Sequence, residues 1–144
     1  MKKAFTLIEL LIVIAVISIL IGIALPRFKG MQDEGNIAKS KGELRTLQSA
    51  LESYYIHNSN AYPAALSSLT SAVPNLVSSI PADPFSTTSA SYGYVRGGTN
   101  NKFFVVYSVG PLATGSATIT LDVVVETIGS SCIYASNAGQ DSQP

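Results

Sequence analysis

The amino-acid sequence predicts an α+β protein: a long N-terminal helix, apolar in its first half and amphipathic in its second, packed on a small antiparallel β-sheet. Three observations carry this expectation. Leu10 to Leu25 reads LLIVIAVISILIGIAL without a charge. Beyond Pro26 apolar residues persist at Ile37, Leu44, Leu47, Leu51 and Tyr54, with gaps of 7, 3, 4 and 3, the stripe of an amphipathic helix. From Pro81 the composition turns to Ser, Thr, Gly and β-branched residues, which favour strands and turns.

Extending the apolar run back to Phe5 adds one ionisable group, Glu9. At about 1.5 Å per residue, Phe5 to Leu25 spans about 31 Å, close to the ~30 Å hydrocarbon core of a bilayer. The run shows no polar face, so it reads as a membrane segment. A cleaved secretory signal fits less well, because Pro26-Arg27-Phe28-Lys29 follows the run in place of a small-x-small cleavage site. Pro26 removes a backbone donor and Gly22 lies one turn before it, so a bend or local melting is expected there. The amphipathic continuation carries Lys39, Lys41, Glu43, Arg45 and Glu52 between its apolar positions, a mixed-sign face expected to be solvated. Breakers at Asn58-Ser59-Asn60 and Pro63 end the helix near His57, giving roughly 80 Å in all.

A short second helix is expected after Pro63, with Leu66, Leu69 and Val73 on one side, ending at Pro74. Tyr92-Gly93-Tyr94-Val95 and Phe103-Phe104-Val105-Val106-Tyr107 read as strands joined by the five-residue loop Gly97 to Asn101. Thr118 to Ile128 is a third strand candidate, with Ile119, Leu121 and Val123 alternating against polar neighbours. Ser136 to Pro144 reads as a loose polar tail. The expected organisation is 1–4 as a leader, 5–25 as membrane and core helix, 26–60 as its amphipathic continuation, and 61–144 as a C-terminal globular region.

Composition narrows the function classes. Nine Lys+Arg balance nine Asp+Glu, so the net charge is zero and no basic surface for nucleic acid is expected. A single cysteine, Cys132, permits no intrachain disulfide, and a single histidine, His57, leaves too few soft ligands for a transition-metal centre. There is no G-x-S-x-G elbow and no phosphate-binding loop. His57 reads as a helix C-terminal cap or surface residue, Cys132 as a buried small hydrophobe, and Asp83 between Pro81 and Pro84 as a turn-former. The recurring aromatics Phe5, Phe28, Tyr54, Tyr55 and Tyr62 read as packing groups in preference to an electron path. No enzyme activity and no cofactor are expected.

Lys2-Lys3-Ala4 followed by Phe5-Thr6-Leu7-Ile8-Glu9-Leu10 resembles the leader and cleavage signature of type IV prepilins. Leu44-x-x-Leu47-x-x-Ala50-Leu51-x-x-Tyr54 and Ala61-Tyr62-Pro63 resemble the major pseudopilin of type II secretion, the G-type branch. So do Ile80-Pro81-Ala82-Asp83-Pro84-Phe85, Tyr92-Gly93-Tyr94 and Tyr107-Ser108-Val109-Gly110-Pro111. The resemblance implies the pilin fold and cleavage by a prepilin peptidase between Ala4 and Phe5, with N-methylation of Phe5. Ala4 stands where the family usually has Gly.

The resemblance further implies assembly into a helical homo-oligomeric filament through Phe5, Glu9 and the helix up to Pro26, with the domain facing outward. Its other implied partners are an inner-membrane assembly platform with its ATPase, and minor pseudopilins or minor pilins. A carboxylate in a membrane helix costs about 2.5–3.5 kcal/mol even on insertion scales, so Glu9 needs a reason. Pairing with the Phe5 ammonium of a neighbouring subunit supplies one; a helix-dipole gain with snorkelling to water is the other. The flanking cations do not orient the span, since Arg27, Lys29, Lys39, Lys41 and Arg45 outnumber Lys2 and Lys3. The resemblance places the chain in the bacterial inner membrane with its C-terminal domain in the periplasm. The alternatives are a type IV pilus subunit for adhesion, motility or DNA uptake, extracellular in that case, and a monomeric membrane-anchored binding module. The resemblance also implies an acidic calcium-binding loop after Ser-x-Gly-Pro. Here Leu112-Ala113-Thr114-Gly115-Ser116 carries no carboxylate, and Asp122 alone does not replace one, so no metal site is expected.

Overall fold

A computed structural model of the chain describes residues 5–126 and 131–140. The chain divides into two compact units, Met1–Gly35 and Asn36–Pro144. Helix α1, Leu7–His57, contributes to both.

In the first unit α1 continues through Pro26 as regular helix. The local melting expected there does not occur. Proline costs one backbone hydrogen bond, and the good helix formers Ala24, Leu25 and Arg27 on either side sustain the turns around it.

In the second unit α1 buries Ser40, Leu44, Leu47, Ala50 and Leu51, which recur every three or four residues and so share one face. Ile37 and Tyr54, at the ends of the expected stripe, are half-buried. The helix stops where the sequence says it should. Ser59 and Asn60 adopt left-handed backbone (φ 55° and 57°), and Asn60 N–H donates to the Tyr55 carbonyl at 3.1 Å. The Asn58 side chain donates to the Tyr54 carbonyl at 3.0 Å, and His57 Nδ1 lies 2.8 Å from the Ser53 carbonyl. The bonds to the Tyr54 and Tyr55 carbonyls engage acceptors of the last helical turn, while His57 is exposed and reaches back along the helix to a carbonyl one turn earlier.

The second helix, α2, is only Ser68–Ser71. Leu66 and Leu69 are buried as expected, but Val73 is 93% exposed. The chain leaves helix at Ala72, in extended backbone, and so turns Val73 off the apolar face.

Six strands follow: β1 Gly93–Gly97, β2 Phe103–Ser108, β3 Ala117–Thr120, β4 Val123–Glu126, β5 Ile133–Ser136 and β6 Gly139–Gln140. One sheet has the order β1-β2-β5 and is antiparallel throughout. The other has the order β3-β4-β6, antiparallel between β3 and β4 and parallel between β4 and β6. Strand β2 explains the run of apolar residues at its centre. Phe104 and Val106 join the core of Leu44, Leu47, Leu51, Leu69 and Tyr92. Val105 points the other way, into a second core with Ala117 and Val124. A strand covered on both faces has no polar alternation to show.

Three expectations are corrected here. Thr118 to Ile128 is not one strand: β3 and β4 form a two-residue hairpin, with Leu121 and Asp122 both at positive φ (49° and 66°). Leu-Asp lacks the usual glycine cue. Asp122 is held instead from outside the hairpin, accepting from Thr99 N–H at 2.6 Å and Thr99 Oγ1 at 2.9 Å. Residues 127 and 128 lie outside the described residues.

The tail expected from Ser136 is structured as far as Gln140. Ser136 closes β5, which the sequence reading did not anticipate, and β6 pairs with β4. Asn137 between them accepts from Phe104 N–H at 2.8 Å and donates to the Tyr62 hydroxyl and the Lys102 carbonyl, each at 3.0 Å. Residues 141–144 lie outside the described residues.

Glu43, expected on a solvated face, accepts a hydrogen bond from the Tyr92 hydroxyl at 2.5 Å. Its ion pair with Lys39, at 3.9 Å and largely exposed, is the weaker partner.

Candidate functional site

The residues singled out for assembly sit at the N-terminal end of α1. Side chains from Phe5 through Leu25 are exposed almost without exception, including Leu10, Ile14, Ile17 and Ile21 at 48–59%. An 18-residue stretch of this helix has mean hydropathy 3.0 and no burial. Each such side chain gains about 1.5–3 kcal/mol when taken out of water. A surface of this extent therefore requires lipid or other protein around it. Ser18, the polar break, donates to the Ile14 carbonyl at 2.7 Å and is satisfied within the helix.

Glu9 is engaged by its own helix. Its Oε2 accepts from Thr6 N–H at 3.1 Å and from Thr6 Oγ1 at 2.9 Å, while Glu9 N–H lies 3.3 Å from Thr6 Oγ1. This reciprocal pattern is a capping box, with Thr6 as the N-cap residue and Glu9 three residues on. The Thr-x-x-Glu spacing announces it in the sequence, and Thr6 is the residue that the assembly reading passed over. Phe5 is 82% exposed. Ala4, on the other side of the expected cut, lies outside the described residues. Pro26 is some seventeen residues along the same helix, about 25 Å away. The structure thus brings Thr6 to Glu9 and leaves Pro26 apart from both.

The loop where the resemblance implies calcium is closed by the chain itself. Gly115 N–H donates to the Val109 carbonyl at 2.8 Å and Ala113 N–H to the Gly110 carbonyl, also at 2.8 Å. Two carbonyls that face the loop are therefore already engaged. The side chains between them add no carboxylate. Calcium wants six to eight oxygens at about 2.3–2.6 Å, carboxylates among them, and this donor set does not fit it. Among the described residues no group of three or more His, Cys, Asp or Glu is placed to hold a metal ion.

Cys132 is half-buried against Val105, Ala117 and Val124. Burial, reinforced by the negative charges of Glu126 and Asp83, pushes its thiol up to about 12, so it stays protonated at neutral pH. Burial also raises the hydroxyls of Tyr92 and Tyr94. At Tyr92 the acceptor Glu43 adds to the effect and the Ser40 hydroxyl opposes it, while at Tyr94 the Arg96 charge pulls back. Tyr62 packs against Tyr55 and Phe104, with ring centroids 4.6 and 4.8 Å apart. These aromatics are core contacts of the second unit.

Residues 1–25 match the family described as the prokaryotic N-terminal methylation motif. The type II secretion system core protein G of Pseudomonas aeruginosa is 26% identical over 123 residues, covering 76% of this chain and 83% of that protein. The protein of the same name from Klebsiella pneumoniae is 30% identical over 95 residues, covering 66% and 64%. The type IV narrow pilus major component PilA5 of Thermus thermophilus is 48% identical over 48 residues, covering 33% and 41%. No solved structure matches. With the methylation motif at its start, a long apolar helix and an α+β domain, the chain is similar to type IV pilin-like proteins, the G-type pseudopilins of type II secretion among them.

Proposed function

We propose that this protein is the major structural subunit of a type II secretion pseudopilus, built by packing its N-terminal helices side by side. The observation that carries this is Glu9, the one carboxylate in an otherwise apolar, exposed stretch from Phe5 to Leu25. Relatives along most of the chain bear the core protein G name, whereas the pilus component from Thermus thermophilus matches about a third of it. Pseudopilin function is therefore favoured over a surface pilus.

In this reading a prepilin peptidase cuts between Ala4 and Phe5 and the freed Phe5 amine is methylated. The new ammonium lies at the membrane surface and becomes the cationic mate for Glu9 of an adjoining subunit. Within the subunit, Thr6 supplies Glu9 with two donors, which lowers the cost of holding a carboxylate beside lipid. In the filament, the Phe5 charge adds Coulombic attraction in a low-dielectric core and sets the register of one helix against the next. Pro26 ends the segment that packs in this core. The domain lies in the periplasm, and an inner-membrane platform with its ATPase adds subunits to a filament that also holds minor pseudopilins and drives export. The chain's own work is assembly, without catalysis.

Glu9→Leu tests this. Filament incorporation, read by cross-linking and by sedimentation of sheared fibres, falls at least tenfold while the domain stays folded. Equal incorporation of Glu9→Leu and wild type would instead indicate a membrane-anchored module whose acid is only a helix cap. Mass analysis of the N-terminus tests processing: loss of Met1 to Ala4 with one added methyl is expected, and intact Met1-Lys2-Lys3 contradicts it.

A further inference from the structure

Asp83 is 3% exposed and its carboxylate accepts three hydrogen bonds. Ser108 Oγ donates to Oδ1 at 2.8 Å, Val109 N–H to Oδ2 at 2.8 Å, and Phe85 N–H to Oδ1 at 3.0 Å. Its own N–H donates to the Ala90 carbonyl at 2.9 Å, fixing it in the 81–91 segment. Asp83 is thus more than the turn-former its neighbouring prolines suggest. It ties that segment to the last residue of β2 and to the first residue of the loop leading to β3.

The loop continues the same network. Ser108 Oγ, held by Asp83, accepts from Gly110 N–H at 3.1 Å. Gly110 then turns the chain with φ 71°, pressed so closely on the Ser131 carbonyl that a Cβ would overlap it. A Cβ on Gly115 would lie 2.6 Å from the Val109 carbonyl oxygen and 3.0 Å from the Cys132 Cα. Leu112 N–H reaches Ser131 Oγ at 3.3 Å. Every turn of the loop from Ser108 to Gly115 is anchored by a hydrogen bond or by close backbone packing. The anchor that carries a charge is Asp83.

We propose that the buried Asp83 carboxylate is the fixed point of the β2–β3 loop, so that the domain folds and holds this loop without a metal ion. A carboxylate buried with three neutral donors is a strong fixed point, because charged hydrogen bonds are about twice as strong as neutral ones. The ligand set for calcium is absent from the loop, and an anchor is supplied by Asp83 in the 81–91 segment. This goes beyond assembly, since it concerns how the domain is held together.

Thermal unfolding of the full chain in detergent tests it, followed by near-ultraviolet circular dichroism of the tyrosines, with a calcium chelator or with millimolar calcium. The wild-type midpoint is expected to be the same in both. Asp83→Asn should lower it by about 4–10 °C in both, with no recovery on adding calcium. Should Asp83→Asn fail to fold, Ser108→Ala removes one donor only and should lower the midpoint by about 2–5 °C, equally with and without calcium. A rise of roughly 5–10 °C in the wild type on adding calcium, as a site at a hundredfold excess over Kd gives, would overturn the proposal. So would an Asp83→Asn midpoint equal to that of the wild type. Neither measurement depends on Glu9 or on filament formation, so the two readings fail separately.

Discussion

The Tyr92 hydroxyl donates to Glu43 Oε2 at 2.5 Å, joining the residue just before β1 to the middle of α1. Tyr92 is 2% exposed and sits in the same core as Leu44 and Leu47, so this polar contact lies at the edge of the main helix–sheet seam. A hydrogen bond to a charged group there contributes more than the Lys39–Glu43 pair on the surface.

Tyr92→Phe should therefore destabilise the folded domain by about 1.5–3 kcal/mol, measured by urea unfolding at neutral pH. Lys39→Ala should cost less than about 0.5 kcal/mol.

Alkaline pH should act through the same residue. The Tyr92 and Tyr94 hydroxyls titrate above their ordinary value of about 10 in the folded state, chiefly because of burial. The folded state thus holds their protons more tightly than the unfolded chain does. The stability this supplies is complete below about pH 10 and is lost as pH rises beyond it. Unfolding midpoints should fall from about pH 10 upward, and more shallowly in Tyr92→Phe.

At the N-terminus, Thr6→Val removes the oxygen that caps α1 and one donor to Glu9. The loss of an N-cap costs about 1 kcal/mol, or about a fivefold rise in amide exchange for residues 7–9 in micelles. Thr6→Ser keeps both hydrogen bonds and should exchange like the wild type.

Gly110→Ala should be among the most damaging single changes in the domain. It demands left-handed backbone of an L-residue and drives a methyl into the Ser131 carbonyl. A loss of about 2–4 kcal/mol is expected from denaturant unfolding. Gly42→Ala, on the open surface of α1, should be neutral or slightly stabilising.

Alkylation of Cys132 should be slow in the folded protein. With its thiol pushed up to about 12, the thiolate fraction at pH 7 is about a thousandfold below that of a free cysteine. Iodoacetamide labelling should be at least about a hundredfold faster in urea than in buffer.

The amino-acid order by itself determined the length and character of α1, its end at Asn58 to Asn60, the buried face through Leu44, Leu47 and Leu51, and the β1–β2 hairpin. The match to the N-terminal methylation motif lies in residues 1–25. These features are local: helical period, turn residues and uninterrupted apolar runs act within a few residues of themselves, and Thr6 with Glu9 is local too. Tertiary structure alone decided that Glu43 receives Tyr92, that Asp83 anchors Ser108 and Val109, that Leu121-Asp122 splits a strand in two, and that Ile133 to Gln140 adds two more strands. Each of these depends on a partner more than a dozen residues distant. A carboxylate in a sequence looks the same whether water or a distant hydroxyl will solvate it, and only the packing of the chain settles which.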